Sequence, residues 1–130
     1  MKAIKVPVEG DITLVDIPDA EDYAELGRAL FGYDALVERV RFGRLVDNVP
    51  TVYWSDDRMV VMLVNENGHR EGEHLNPKAT LLYRSGVHDG VIVGDAYLVM
   101  EQRDMMLGDI WCDIEQPFAT PDFWMEVVDA

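Results

Sequence analysis

One segment constrains the fold of this 130-residue chain more than any other, the apolar run from Met59 to Val64. The run is far shorter than the roughly 20 apolar residues that a membrane-spanning helix needs. A short apolar run without polar alternation is typical of a central strand that is buried on both faces of a sheet. We therefore expect a sheet that contains this strand near its centre.

Other segments predict the strands around it. Residues 1–8 and 12–17 are rich in Val and Ile, and the turn at Gly10 between them predicts an N-terminal β-hairpin. Short strands are also expected at four further places, namely residues 35–45, 50–54, 91–100 and 110–114. The chain therefore has enough strands for one sheet of ordinary size.

Capping residues indicate three helices. The first spans residues 19–32, and the acids of its first turn suit the positive end of the helix dipole. The second spans residues 77–85, with Asn76 as its N-cap and Pro77 at its first position. A last short helix is expected to begin after Thr120.

These elements predict an α+β fold. We expect a mostly antiparallel sheet with the longer helix, 19–32, and the shorter helix, 77–85, packed on one face. Residues 1–100 are expected to form the compact domain. Residues 101–130 are expected to form an acidic, aromatic C-terminal extension that packs on or beside it.

The distribution of charge narrows the classes of partner. The chain carries a net charge of −14, and residues 101–130, with eight acids and one arginine, carry half of it. A negative field repels nucleic acid phosphates and anionic membranes, so direct binding to either is not expected. An acidic surface instead attracts basic protein surfaces. The alternative is that the acids only keep the protein soluble.

The sequence assigns no catalytic residue, metal site or cofactor. It contains no glycine-rich phosphate loop, and the five-residue separation of His69 and His74 does not match a zinc pair. The single cysteine, Cys112, excludes an internal disulfide and favours the reducing cytoplasm. Its acidic neighbours oppose thiolate formation, so we expect a half-buried structural thiol. The N-terminus lacks the pattern of a secretory signal.

Two sets of residues are candidate binding sites. The first combines aromatic anchors with acids in the C-terminal extension and would contact a partner protein. It consists of Trp111, Asp113, Glu115, Phe118, Asp122 and Trp124. The alternative is that the aromatic side chains cover the open face of the sheet.

The second set is the only local excess of positive charge and would bind an anionic ligand. It consists of Arg39, Arg41 and Arg44. The alternative is that these arginines pair with the neighbouring acids Glu38 and Asp47.

Three segments, in this order, resemble a small family of uncharacterised domains that is common in phage, plasmid and actinobacterial genomes. They are Val64-Asn65-Glu66-Asn67-Gly68, Leu75-Asn76-Pro77-Lys78-Ala79-Thr80 and Val91-Ile92-Val93-Gly94-Asp95. The resemblance covers about residues 1–100 and leaves the stretch around 47–57 and the tail after Glu101 unmatched. The family has no established activity, so the resemblance implies no catalytic residues. It implies an accessory gene of a mobile element.

We therefore expect a non-enzymatic accessory protein of a phage or mobile element that binds a host protein with a basic surface. Inhibition of that protein, as a counter-defence factor, is one mode of action left open. One alternative is an acidic mimic of nucleic acid, which requires carboxylates in a row on one exposed face. Another is a small domain or enzyme that binds an anionic ligand through the arginine set. A homodimer formed through an exposed edge strand is also left open.

Overall fold

The computed structural model describes residues 1–19, 23–43, 45–46, 49–50, 53–84 and 89–129. The strands of these residues are β1 (Lys2–Val6), β2 (Thr13–Asp16), β3 (Val37–Val40), β4 (Leu45–Val46), β5 (Val49–Pro50), β6 (Trp54–Ser55), β7 (Arg58–Asn65), β8 (Ala96–Asp104) and β9 (Gly108–Cys112). The helices are α1 (Tyr23–Phe31), α2 (Pro77–Tyr83) and α3 (Pro121–Asp129).

Seven of these strands form one antiparallel sheet. Its order is β2-β1-β8-β7-β3, with β6 beside β7 and β9 beside β8. Strands β4 and β5 pair with each other in a separate ribbon. The α+β class and the antiparallel sheet expected from the sequence are confirmed.

The two central strands, β7 and β8, are apolar on both faces of the sheet. In β7, Val60, Met62 and Val64 enter one buried cluster, and the alternating residues Met59, Val61 and Leu63 enter another. In β8, Leu98 and Met100 alternate with Tyr97 and Val99 in the same way. The apolar run therefore forms the predicted strand, buried on both faces.

Helices cover both faces of the sheet. The sequence instead predicted the helices at 19–32 and 77–85 on one face. Leu26 and Leu30 of α1 pack in the cluster of Val61 and Leu63, which we call the α1 face. Ala79 and Leu82 of α2 pack, together with α3, in the cluster on the opposite face. Capping and periodicity define a helix and its apolar stripe, but they do not say which face of a sheet the stripe meets.

Local signals define the helix ends that the structure describes. Asn76 is fully buried, and its side-chain oxygen accepts a hydrogen bond from the backbone N–H of Ala79, as expected of an N-cap. Its Nδ2 also donates to the carbonyl oxygens of Val6, at the end of β1, and Gly94, just before β8, so the cap ties α2 to the sheet. Gly32 follows α1 with a φ of 82°, as expected of a helix-terminating glycine. The sequence predicts this helix from residue 19, but Asp19 is not helical, and residues 20–22 lie outside the described residues.

The last thirty residues complete the same sheet and core. Strand β8 runs across position 100, and β9 pairs with its second half. Phe118 and Trp124 are buried in the cluster beneath α3, and the Trp124 indole N–H donates to the carbonyl oxygen of Phe118 over 2.7 Å. The prediction that these two aromatic residues serve as surface anchors is therefore wrong. They cover the sheet instead, because its second apolar face needs a layer.

Replacement of Trp124 by alanine tests this role. We expect Trp124→Ala to lower the free energy of unfolding by about 3–5 kcal/mol, because it removes a fully buried indole and leaves a cavity. The matched control is Met106→Ala, since 91% of Met106 is exposed and its loss should cost about 0.5 kcal/mol or less. Urea unfolding followed by circular dichroism measures both, and equal losses would contradict the assignment.

Tyr97 makes stability depend on alkaline pH. Burial, with a smaller contribution from Asp95, raises the pKa of this phenol from 10.0 to about 12, and its hydroxyl donates to the carbonyl oxygen of Leu30. The unfolded chain releases the proton near pH 10 while the folded protein keeps it, so stability falls as the pH rises from about 10 to about 12. We expect a loss of about 1 kcal/mol between pH 9 and pH 11. Urea unfolding of Tyr97→Phe should lack this part of the pH dependence.

Candidate functional site

A buried carboxylate organises the uncovered part of the α1 face. Glu101, on β8, is only 3% exposed. Its Oε1 lies 3.3 Å from Nε of Arg39, and its Oε2 lies 3.9 Å from Nη2 of Arg41. Oε1 also accepts a hydrogen bond from the Trp111 indole N–H over 3.2 Å. These partners offset the cost of removing a charge from water.

The arginine set is therefore partly brought together, around an acid that the sequence analysis did not single out. Arg39 and Arg41 both form ion pairs with Glu101. Arg44 lies outside the described residues. The signal that was missed is the position of Glu101 at the end of an apolar strand, where a carboxylate needs a partner from elsewhere in the fold.

A cavity of about 240 Å³ opens above this carboxylate, and we call it the Glu101 cavity. Its lining consists of Arg41, Trp54, Asp57, Met59, Glu101, Arg103 and Asp109. Strand register explains the convergence of these residues. Met59 lies directly opposite Glu101 on β8 and opposite Trp54 on β6, and Arg103 lies opposite Asp109 on β9. Directly paired residues point to the same face, so four strands present their side chains to one space.

Tyr23 and Trp111 stand on the same face as this cavity. Tyr23, at the start of α1, stacks on the Trp111 ring with 5.0 Å between the ring centroids and 15° between the planes. The stack holds the indole whose N–H reaches Glu101. Trp111, a predicted partner-binding residue, is therefore half-buried and anchors α1 to the sheet.

The hairpin tip, Asp104 to Gly108, joins β8 to β9 and exposes three adjacent apolar side chains. Met105 is 95% exposed, Met106 91% and Leu107 77%. The Asp104 Oδ1 accepts hydrogen bonds from the backbone N–H groups of Met106 and Leu107, each over 2.8 Å. These two bonds hold the pKa of Asp104 below its ordinary value. The turn is therefore fixed by its own side chain while its apolar residues point into solvent.

The sequence analysis did not single out the hairpin tip. Asp104 and Gly108, which flank three consecutive apolar residues, are typical turn residues. The apolar residues between them, however, by themselves indicate burial. Only the length of β8, which runs past the covered part of the sheet, places them outside the core.

The other predicted partner-binding residues are divided between different surroundings. Asp113 is exposed and accepts a hydrogen bond from the backbone N–H of Lys2 over 2.7 Å. Glu115 forms an ion pair with Arg58. Asp122 is exposed in the first turn of α3, on the face opposite Trp111. The set does not form one continuous surface.

Cys112 is half-buried, as the sequence predicts for a structural thiol. Burial raises the pKa of the thiol, and the nearby Glu115 and Asp113 raise it further, against an opposing effect of Arg58. Within the part of the chain that the structure describes, no group of three or more His, Cys, Asp or Glu residues is arranged to hold a metal ion.

Comparisons with known proteins leave the family open. No family model, curated protein or solved structure matches the chain. The resemblance to the family from phage, plasmid and actinobacterial genomes therefore stays a prediction. None of the helices in the described ranges combines the length and the apolar character that a membrane crossing requires.

Loss of the charge on Glu101 should destabilise the fold. We expect Glu101→Gln to lower the free energy of unfolding by about 2 kcal/mol, because a neutral amide pairs poorly with the two guanidinium groups. Glu126→Gln is the matched control, since Glu126 is exposed on α3 and its change should stay within about 0.5 kcal/mol. Urea unfolding at neutral pH compares them, and equal effects would show that Glu101 contributes only as a surface charge.

Proposed function

We propose that this protein is a non-enzymatic binding protein that docks on a partner protein through the hairpin tip. The observation that carries the proposal is the exposure of Met105, Met106 and Leu107, at 77% to 95% of each residue. Contiguous exposed apolar side chains mark interaction sites, because they gain free energy only when a partner covers them. Methionine suits such a surface, since its unbranched side chain adapts to irregular pockets.

The fixed turn supports the same proposal. Asp104 binds two backbone N–H groups of the tip, so the loop is already ordered before a partner arrives. Ordering a loop during association costs free energy, and a preformed loop avoids most of that cost. The tip therefore has the properties of a binding element.

Charge around the tip indicates the chemistry of the partner. Asp104 and Asp109 flank the apolar residues, and residues 101–130 as a whole are strongly acidic. A partner with an apolar pocket and a basic rim would complement this surface. An anionic membrane would be repelled by the same acids. We therefore place the partner among proteins with basic surfaces.

The sequence resemblance supplies the biological context of the proposal. It supports an accessory protein of a phage or mobile element, with a host protein as the partner, and the free thiol of Cys112 supports a cytoplasmic location. Inhibition of the host protein is the simplest consequence of docking on it. Mimicry of nucleic acid receives less support, because arginines neutralise two of the C-terminal acids, Glu101 and Glu115.

Photo-crosslinking tests the hairpin tip. A crosslinking residue at position 106 should capture one host protein in living cells, whereas the same residue at position 81 on α2, also an exposed apolar site, should not. With the captured protein purified, we expect the combined variant Met105→Ser, Met106→Ser, Leu107→Ser to raise the dissociation constant at least roughly tenfold.

The matched control replaces three scattered exposed leucines in Leu14→Ser, Leu36→Ser, Leu81→Ser and should bind like the unmodified protein. Both variants should keep the circular dichroism spectrum of the parent. Equal capture from positions 106 and 81, or unchanged affinity of the tip variant, would contradict the proposal. Binding to lipid vesicles instead of a protein would also contradict it.

A further inference from the structure

The Glu101 cavity is built from segments that are far apart in the sequence. Buried Met59 and Glu101 form its floor, and Trp54, on the neighbouring β6, is 47% exposed beside them. Arg103 and Asp109 extend it toward the base of the β8–β9 hairpin. Its volume of about 240 Å³ lies below the roughly 300–1,000 Å³ of common small-molecule pockets. The cavity therefore suits a ligand much smaller than a nucleotide.

The charged residues of the lining form two groups. Glu101, at the floor, has partners within the protein, and the residues of the rim carry equal numbers of positive and negative charges. The Glu101 carboxylate already has close partners in Arg39 and Trp111, at 3.3 Å and 3.2 Å, and a more distant one in Arg41, at 3.9 Å. Around it, the lining holds two guanidinium groups and two carboxylates. These are Arg41, Arg103, Asp57 and Asp109. A ligand with a single charge would meet one pair favourably and the other pair unfavourably.

Trp54 adds an apolar surface to this balanced set. An indole that is half exposed beside a buried methionine offers a flat surface on which a ring or an aliphatic chain packs. Ligand sites commonly combine such a surface with a few convergent polar groups that fix orientation. The combination therefore matches a small molecule that carries both charges on an apolar body.

We infer that the Glu101 cavity binds a small zwitterion, a free amino acid with an apolar or aromatic side chain. Arg41 and Arg103 receive its carboxylate, Asp57 and Asp109 receive its ammonium group, and Trp54 and Met59 contact its side chain. This site goes beyond partner docking and does not depend on it, since the apolar residues of the hairpin tip are not part of the lining.

Three related probes test the inference. L-phenylalanine carries both charges, 3-phenylpropionate lacks the ammonium group and phenethylamine lacks the carboxylate. Titrations followed by NMR of the tryptophan indole N–H signals should show a saturable shift of Trp54 with L-phenylalanine. The signal of Trp124, buried on the opposite face, should stay in place and serves as the internal control. Each singly charged probe should bind at least roughly fivefold more weakly.

Variants of the rim provide the second arm of the test. Arg103→Gln and Asp109→Asn, at exposed positions, should each weaken L-phenylalanine binding roughly fivefold without unfolding the protein. Glu126→Gln and the serine variant of the hairpin tip should leave this affinity unchanged. Equal binding of 3-phenylpropionate would make the cavity an anion site, and equal binding of phenethylamine a cation site. Either result, or no saturable shift with L-phenylalanine, overturns the inference.

Discussion

The structure depends on a pair of central strands whose side chains are apolar on both faces. Strands β7 and β8 exchange hydrogen bonds along most of their length and bury both sets of alternating residues. Such a pair is stable only when each face is removed from water, so the chain needs a layer on either side. Helix α1 supplies one layer, and α2 with α3 supplies the other. The burial of Trp124 follows directly from this requirement.

The candidate site lies where this burial gives way to polar chemistry. Along β8, the α1 face changes from Tyr97 and Val99 to Glu101 and then to Arg103. A carboxylate at that boundary is buried by its neighbours yet borders a cavity, so it requires cationic partners from other strands. Arg39 and Arg41 meet that requirement, and Arg41 also lines the polar cavity. The need of buried Glu101 for cationic partners therefore explains both its ion pairs and the polar lining of the Glu101 cavity.

The hairpin tip exposes apolar side chains, whereas the candidate site buries a charged one. Strands β8 and β9 extend past the layer that covers the sheet, and the turn between them carries its apolar side chains into solvent. Asp104 stabilises the turn by bonding its backbone N–H groups, which leaves the side chains of Met105 to Leu107 without a local function. The cavity and the tip share the β8–β9 hairpin, since Arg103 and Asp109 stand at its base. The proposed docking surface and the proposed ligand cavity therefore share one element.

The sequence by itself determined the features that depend on neighbouring residues. The apolar run at 59–64 predicted a strand buried on both faces, Asn76 predicted the start of α2, and the strand and helix signals together predicted the α+β class. Only the tertiary structure decided that α1 and α2 lie on opposite faces, that Arg39 meets Glu101, and that Met105 is exposed while Trp124 is not. The physical reason is that strand and helix signals arise from local backbone preferences and side-chain periodicity. The burial of a side chain and its ion pairs instead depend on which distant segments cover its face of the sheet. Strand register decides which residues of those segments meet.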